Sequence, residues 1–534
     1  MYAADKYSGT PAAQAEYKKA EKARESGDFD TAAADYQKAI DLDHNFAKAY
    51  SDLLFARTLQ MYLGSQGKGK SNEEKAALLK KSHDETVAKY TTLASQHPDN
   101  PVYPWVVAQL YNESDPDLQE KYCRQSVKIS EDFTPGYECL ATVAMLRGDS
   151  VHGAEYFRRV LAANPDSPDV ALQYMYYVHA DPKEYKAAAL EVGKKFPNSQ
   201  QAAQALYRYA MAETDRDERV KDLKQLLAKY SPAKFDSASD AADDLFAYYD
   251  QTDPAKARRL AQKMLEQMPA SKTWKADVAY SDAMVEAKRK IDAHDGAGAL
   301  AILGKVKTPG YVFSKVRLNL LTAEAKEISA GPAESYVFLL KDVAAFPSDR
   351  EILALYASGK KLGKNREQVD AELWGARSAA STPAIPFSLE SFTTGKKVSL
   401  DDYKGHVVIV DFWYPNCGPC MASFPYLHGI LEKFKDQGVV LLAINGIEGQ
   451  APFVLPLLKS KGLDDFIPLR GNEKWCSDVY HVRGFPTTFF IGADGRVYFK
   501  THVYSPETQS MAELQIEALL RAQQEGKSSQ SGGQ

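Results

Sequence analysis

Two cysteines three positions apart, Cys417 and Cys420, stand in the stretch VVIVDFWYPNCGPCMASFPYL, residues 407–427. Such a pair can be a redox dithiol, half of a metal site, or two packing thiols. The apolar run before it reads as a buried strand ending at Trp413, and a helix opens near Cys417 or Gly418. The first cysteine then sits at a helix N-terminus, where unpaired N–H groups and the helix dipole favour a thiolate. Lowering a thiol pKa from about 8.5 to about 7 corresponds to roughly 2 kcal/mol of charge stabilisation. Pro419 fits the first helical turn because no intrahelical N–H bond is lost there. Cys420 lies one turn further in, shielded, and placed to attack a mixed disulfide formed on Cys417. Structural zinc asks for four ligands, yet there is no second CxxC, and His406, His428 and His481 lack paired spacing. No metal and no separate cofactor are therefore expected beyond the cysteine couple. A Gly-Pro dipeptide between the cysteines at a strand-to-helix turn argues against mere packing thiols.

A second element lies downstream in VRGFPTTFFI. Pro486 opens a strand after Gly484 and Phe485, a candidate cis bond. The order strand, CxxC, helix, strand, helix, then Gly-x-Pro-Thr-Thr and a hairpin resembles thioredoxin. The segment FSLESFTTGKKVSLDDYKGHVVIVDFW resembles the N-terminal hairpin and first core strand of TlpA-like thiol–disulfide oxidoreductases in that superfamily. The resemblance implies that Cys417 is the attacking thiol, Cys420 the resolving thiol and Pro486 the cis-proline facing the sulfurs. It also implies substrate contacts at Trp413, Gly418, Pro419 and Phe485. Asp411 matches the buried acid of the thioredoxin strand. A carboxylate in an apolar strand has a raised pKa and can take the proton of Cys420; its alternative role is a satisfied buried acid.

Three positions depart from that pattern. Asn416 stands where many relatives have Trp, Ser423 where many carry an acid, and Phe485 where smaller residues are common. Such changes move the potential, about 30 mV for each 1.4 kcal/mol. The CGPC sequence favours a reductant. Cys476 is expected to be a packing thiol. Cys123 and Cys139 are expected on neighbouring helices and unpaired.

The element that precedes this module has another grammar. Residues 1 to about 370 are rich in Ala, Lys, Glu, Tyr and Leu with helical periodicity. Ala20, Gly27, Phe29, Ala32, Tyr36 and Ala39 fall on one template, which recurs at Ala141, Ala144, Gly148, Gly153, Phe157 and Pro165. This resembles the tetratricopeptide repeat, a pair of antiparallel helices, with Gly27 and Gly148 at the turn inside each pair. Prolines keep a similar period: Pro165 to Pro197 spans 32 residues and Pro197 to Pro232 spans 35. There is room for roughly ten helix pairs. The polar stretch GSQGKGKSNEEK reads as an insertion.

The expected architecture is therefore multidomain: an all-α tetratricopeptide-repeat solenoid over 1–374, a linker over 375–383, an α/β thioredoxin-like fold over 384–525, and a disordered tail over 526–534. Ser505 is expected to cap the last helix, with Glu507 in its first turn. Apolar residues make up 44% of the 534, charged residues 26%, and the net charge is -5. Nothing in this balance points to nucleic acid, and no apolar run is long enough to span a bilayer.

The implied function is an oxidoreductase that reduces protein disulfides and is recharged by an upstream thiol reductant. The repeats would recruit a peptide or protein partner. The competing reading is a non-enzymatic repeat scaffold carrying a passive module. A thiol peroxidase is disfavoured because Tyr414-Pro415-Asn416 precedes Cys417. TlpA-like proteins work in the periplasm or otherwise outside the cytoplasm, whereas the first residues read as no secretory signal, which leaves a cytoplasmic alternative.

Overall fold

The computed structural model describes residues 6–65, 72–112, 115–179, 181–213, 215–309, 312–503 and 506–531. The chain divides into two compact units, Met1–Pro182 and Lys183–Gln534. The first holds α1 (Pro11–Glu25), α2 (Phe29–Leu42), α3 (Ala47–Ser65), α4 (Asn72–Gln96), α5 (Val102–Leu110), α6 (Pro116–Ile129), α7 (Thr134–Leu146), α8 (Ser150–Ala163) and α9 (Pro168–Val178). Six residues of the expected insertion, 66–71, lie outside the described residues.

The template residues explain the pairing of these helices. Ala20, Ala32, Ala39, Tyr36, Ala141 and Phe157 are buried, so small side chains allow close approach while aromatics fill the remaining gap. Gly27 and Gly148 adopt positive φ, 80° and 77°. Each is followed by an aspartate, Asp28 or Asp149, whose backbone N–H closes the preceding helix on Ala23 or Ala144. The same aspartate caps the next helix, accepting from Thr31 or His152. One Gly-Asp dipeptide thus ends one helix and starts the next.

The correction in this unit concerns sulfur. Cys123 on α6 and Cys139 on α7 form a disulfide with Cα atoms 6.1 Å apart. Both are buried. Sequence spacing carries no information on the approach of two helices, and here it is close enough for a bond.

The second unit begins with α10 (Pro182–Lys195), α11 (Gln200–Ala212), α12 (Arg216–Lys229), α13 (Asp236–Thr252), α14 (Pro254–Gln267), α15 (Lys272–Asp292), α16 (Gly296–Leu303), α17 (Val312–Ala330), α18 (Pro332–Ala345), α19 (Asp349–Lys361) and α20 (Arg366–Ala380). The Gly-Asp turn recurs between α15 and α16 with His294, at φ 56°, in the glycine position and Asp295 as cap.

The linker expected over 375–383 is not one. Helix α20 starts at an Asn365–Gln368 capping box and continues to Ala380, because its small residues favour helix as readily as loop. Thr382–Pro383 then form β1. The remaining strands are β2 (Ser388–Glu390), β3 (Lys397–Ser399), β4 (Val407–Trp413), β5 (Val439–Asn445), β6 (Phe466–Arg470), β7 (Thr487–Ile491) and β8 (Arg496–Thr501). They are joined by α21 (Gly418–Phe434), α22 (Ala451–Ser460) and α23 (Glu473–Asp478), and α24 (Pro506–Ser531) closes the unit. The backbone of α24 runs six residues into the expected tail, since nothing after Gly526 breaks the helix before Gly532. Ser505 and the side chain of Glu507 lie outside the described residues.

The six-stranded sheet has the order β1-β8-β7-β4-β5-β6, with β2 and β3 as a separate hairpin. Strands β4, β5 and β6 run parallel, and β7, β8 and β1 continue antiparallel. Alternation along β4 divides the core. Val407, Ile409 and Trp413 pack with α21 and α24, while Val408, Val410 and Phe412 pack with Phe387, Leu400 and Tyr480. Asp411 therefore falls on the α21 face, the side that carries both sulfurs.

Candidate active site

The site grows from the C-terminal end of β4. Trp413 closes that strand, and its carbonyl accepts from Gly446 N–H at the end of β5 (2.7 Å). The chain then turns through Tyr414-Pro415-Asn416 and enters α21. The turn is held by Cys417 N–H on the Tyr414 carbonyl (3.1 Å) and by Asn416 N–H on the Gln450 side-chain carbonyl (2.8 Å).

Cys417 is the N-cap of α21, and its sulfur accepts from Cys420 N–H at 3.1 Å. That position belongs to the orphan donors of a helix start, which stabilise negative charge on sulfur. Cys417 and Cys420 form a disulfide, Cα atoms 5.2 Å apart. In this oxidised state Cys420 is fully buried and Cys417 is 2% exposed. The neighbouring Asn416, Gly418 and Pro419 are exposed. Tyr414, Met421, Tyr426 and Phe485 pack against the cluster containing the two sulfurs.

The Phe485–Pro486 bond is cis. Pro486 is buried and Phe485 half-buried, its ring edge-on to Tyr414 at 5.4 Å. The Thr487 hydroxyl donates to the Gly484 carbonyl (2.7 Å), which fixes the turn around the proline. A Cβ on Gly446 would lie 2.4 Å from the Phe485 ring. Gly446 and Gln450 are thus site-shaping residues that sequence reading did not identify. The only available signal for the glycine was its place directly after a buried strand.

Asp411 is fully buried. One carboxylate oxygen accepts from the Thr488 hydroxyl at 2.7 Å, in register across β4 and β7. The other has no partner. Burial pushes its pKa up to about 7, and the Thr488 hydrogen bond opposes part of that rise. The group is therefore poised to exchange a proton near neutral pH.

Two expectations change. Trp413 is completely buried, edge-on to Phe424 at 4.9 Å, so it supports the loop from beneath and offers no surface to a substrate. The alternation of β4 points it into the core. Ser423, at the position where an acid is common, is buried and donates to the Cys420 carbonyl (2.7 Å). Cys476 lies on the opposite face of the sheet, buried and free, its thiol pushed up to about 12 by burial. His428, Glu432 and Asp465 bring potential ligand atoms within 4.8 Å of one another, a through-space grouping that sequence spacing hides.

Comparison with known proteins places this region. Residues 379–518 match the family described as Redoxin. The thiol-disulfide oxidoreductase ResA of Bacillus subtilis is 38% identical over 111 residues, 21% of this chain and 60% of the relative. ResA of Halalkalibacterium halodurans is 28% identical over 150 residues, 26% of this chain and 75% of the relative. A solved structure described as a thiol:disulfide interchange protein DsbE from Chlorobium tepidum is 30% identical, covering 26% of this chain and 96% of that one, with a TM-score of 0.24. The chain spans about 60% of the length of the first curated relatives it matches. The C-terminal part of this protein, behind a mostly helical N-terminal region, is a redoxin domain of thioredoxin-like fold related to the ResA thiol-disulfide oxidoreductases.

Proposed function

We propose that the protein is a thiol–disulfide oxidoreductase that reduces protein disulfides through Cys417 and Cys420. The observation that carries this reading is the position of Cys417 at the N-cap of α21, bonded to Cys420 and receiving the Cys420 N–H. In the reduced state the Cys417 thiolate attacks one sulfur of a substrate disulfide. A mixed disulfide forms, and the other substrate sulfur leaves as a thiolate that takes a proton from water. Cys420 passes its proton to the Asp411 carboxylate and attacks the Cys417 sulfur. The second substrate thiolate departs, and the Cys417–Cys420 disulfide remains. Two electrons have moved to the substrate, and an upstream dithiol restores the pair. Pro486 and Phe485 form one wall for the substrate, while exposed Gly418 and Pro419 form the approach.

The helical repeats serve to recruit a peptide or protein partner, a role consistent with a solenoid's extended surfaces. We assign the protein to an extracytoplasmic compartment. The Cys123–Cys139 disulfide supports that reading, because buried structural disulfides persist where the surroundings are oxidising.

Cys420→Ser tests the chemistry. It should accumulate covalent adducts on Cys417 that dithiothreitol removes, and mass spectrometry of these adducts should identify substrates. A variant that traps nothing, together with a wild type inert toward a model disulfide, leaves a non-enzymatic scaffold.

A further inference from the structure

A cavity of about 650 Å³ lies among α19, α20 and α24, away from the two sulfurs. Ile352, Leu353, Leu373 and Leu514 supply hydrocarbon to its wall, and Arg377 supplies a charge. Arg377 lies in the last turn of α20 and is 7% exposed. Its bonding is poor. One terminal nitrogen reaches the Val343 carbonyl at 3.5 Å, the Nε–H has no acceptor, and the guanidinium lies 5.6 Å from the Phe499 ring centre. Among the described residues Arg377 enters no ion pair.

The carboxylates nearby are committed elsewhere. Asp370 receives the Tyr356 hydroxyl and pairs with Arg521 at 3.6 Å. Glu517 pairs with Lys433 at 3.2 Å. Burial, with a smaller push from Arg521, lowers the Arg377 pKa to about 10, which still leaves it charged at neutral pH. Proteins rarely keep a buried charge unpaired, because the desolvation penalty goes uncompensated. A guanidinium fork beside an open apolar cavity matches one ligand chemistry best: a planar oxyanion attached to hydrocarbon. One uncompensated positive charge calls for one negative charge, and the apolar wall disfavours a bare inorganic anion. The volume lies in the range of small organic ligands.

We propose that this cavity binds an organic carboxylate with an apolar body, Arg377 holding the carboxylate and the α19, α20 and α24 side chains holding the hydrocarbon. The carboxylate can come from a free small acid or from the last residue of a peptide chain. Both offer the same head and differ in the body attached to it.

Isothermal titration calorimetry on the full chain separates these sources. The probes are phenylbutyrate against phenylbutanol, and the peptide Gly-Gly-Leu-Phe with a free against an amidated C-terminus. Binding of phenylbutyrate alone assigns a small acid, and binding of the free peptide alone assigns a chain terminus. Either supports the proposal if Arg377→Met weakens binding at least tenfold. Leu353→Glu gives a second reading that folding does not confound, since Leu353 is 66% exposed at the wall. It should also weaken the acids and leave the uncharged probes unaffected. The proposal is overturned if neither acid binds by about 1 mM, if phenylbutanol or the amide binds as tightly as its acid, or if both variants bind as wild type does.

Discussion

At the scale of single residues, the carboxylate beneath the sulfurs sets the pH behaviour. Asp411 rises from 3.8 to about 7 on burial. Between those values the folded chain holds a proton that the unfolded chain releases. Stability therefore falls as pH rises across that window and is lowest above about pH 7. At about 1.4 kcal/mol per unit, the ceiling on that loss is roughly 4 kcal/mol. Asp411→Asn should melt with wild type near pH 4 and at a higher temperature near pH 8, measured by calorimetry. The same variant should slow release of the mixed disulfide, because Cys420 loses its proton acceptor. Stopped-flow resolution in the wild type should accelerate as pH rises through about 7, and the variant should lose that inflection. Thr488→Val removes the one hydrogen bond that favours the charged carboxylate. Its inflection should move to higher pH, and an unmoved inflection would assign the titration to another group.

The residues of this site were legible to different degrees. Cys417, Cys420, Pro486 and Asp411 lie in continuous motifs, so their elements could be placed from periodicity and turn chemistry. Trp413 could be placed on the strand, but its role could not. A side chain at a strand's end reaches either core or cleft, and only the packing of Phe424 against it decides. Gln450 and Gly446 act through contacts made across loops, which no local pattern encodes.

At the scale of elements, the turn device between helices carries more information than composition does. The Gly-Asp pair at 27–28 and 148–149 was readable, but the equivalent His294-Asp295 was not, because histidine seldom adopts positive φ. The expected linker failed for the opposite reason: GARSAASTPAI is small and polar, yet Ala and Arg favour helix, and Arg377 is buried by tertiary contacts. Disulfide pairing between α6 and α7 lay beyond the reach of spacing. It has a measurable consequence. The chain has five cysteines, four of them in two disulfides and Cys476 free. Oxidised protein should therefore show one thiol by Ellman titration in denaturant and none when folded, since Cys476 is buried. Replacing Cys123 and Cys139 together by alanine should lower the stability of the helical unit by about 3 kcal/mol, the loop-closure contribution for a loop of this length. Three thiols in denatured oxidised protein would mean that the pair does not form in solution.

At the scale of the whole molecule, the seam between the last helix and the sheet decides what can stand alone. Residues 384–525 contain both sulfurs, Asp411 and Pro486, yet they omit β1, whose Thr382 and Pro383 pair with Val497 and Arg496. They also omit Ser381, whose hydroxyl and carbonyl receive Arg496 at 2.7 and 2.6 Å, and Trp374, which stacks on Tyr498 at 4.9 Å. Two charge-assisted hydrogen bonds and an aromatic pair together contribute roughly 2–5 kcal/mol. A fragment of residues 384–531 should therefore unfold at lower denaturant concentration than one of residues 366–531. Both should reduce a model disulfide where they are folded, because no residue of the seam belongs to the redox site. Equal midpoints would mean that α20 and β1 only lie against the sheet. Equal stability with lost activity in the shorter fragment would instead make the helix part of the machinery around Cys417.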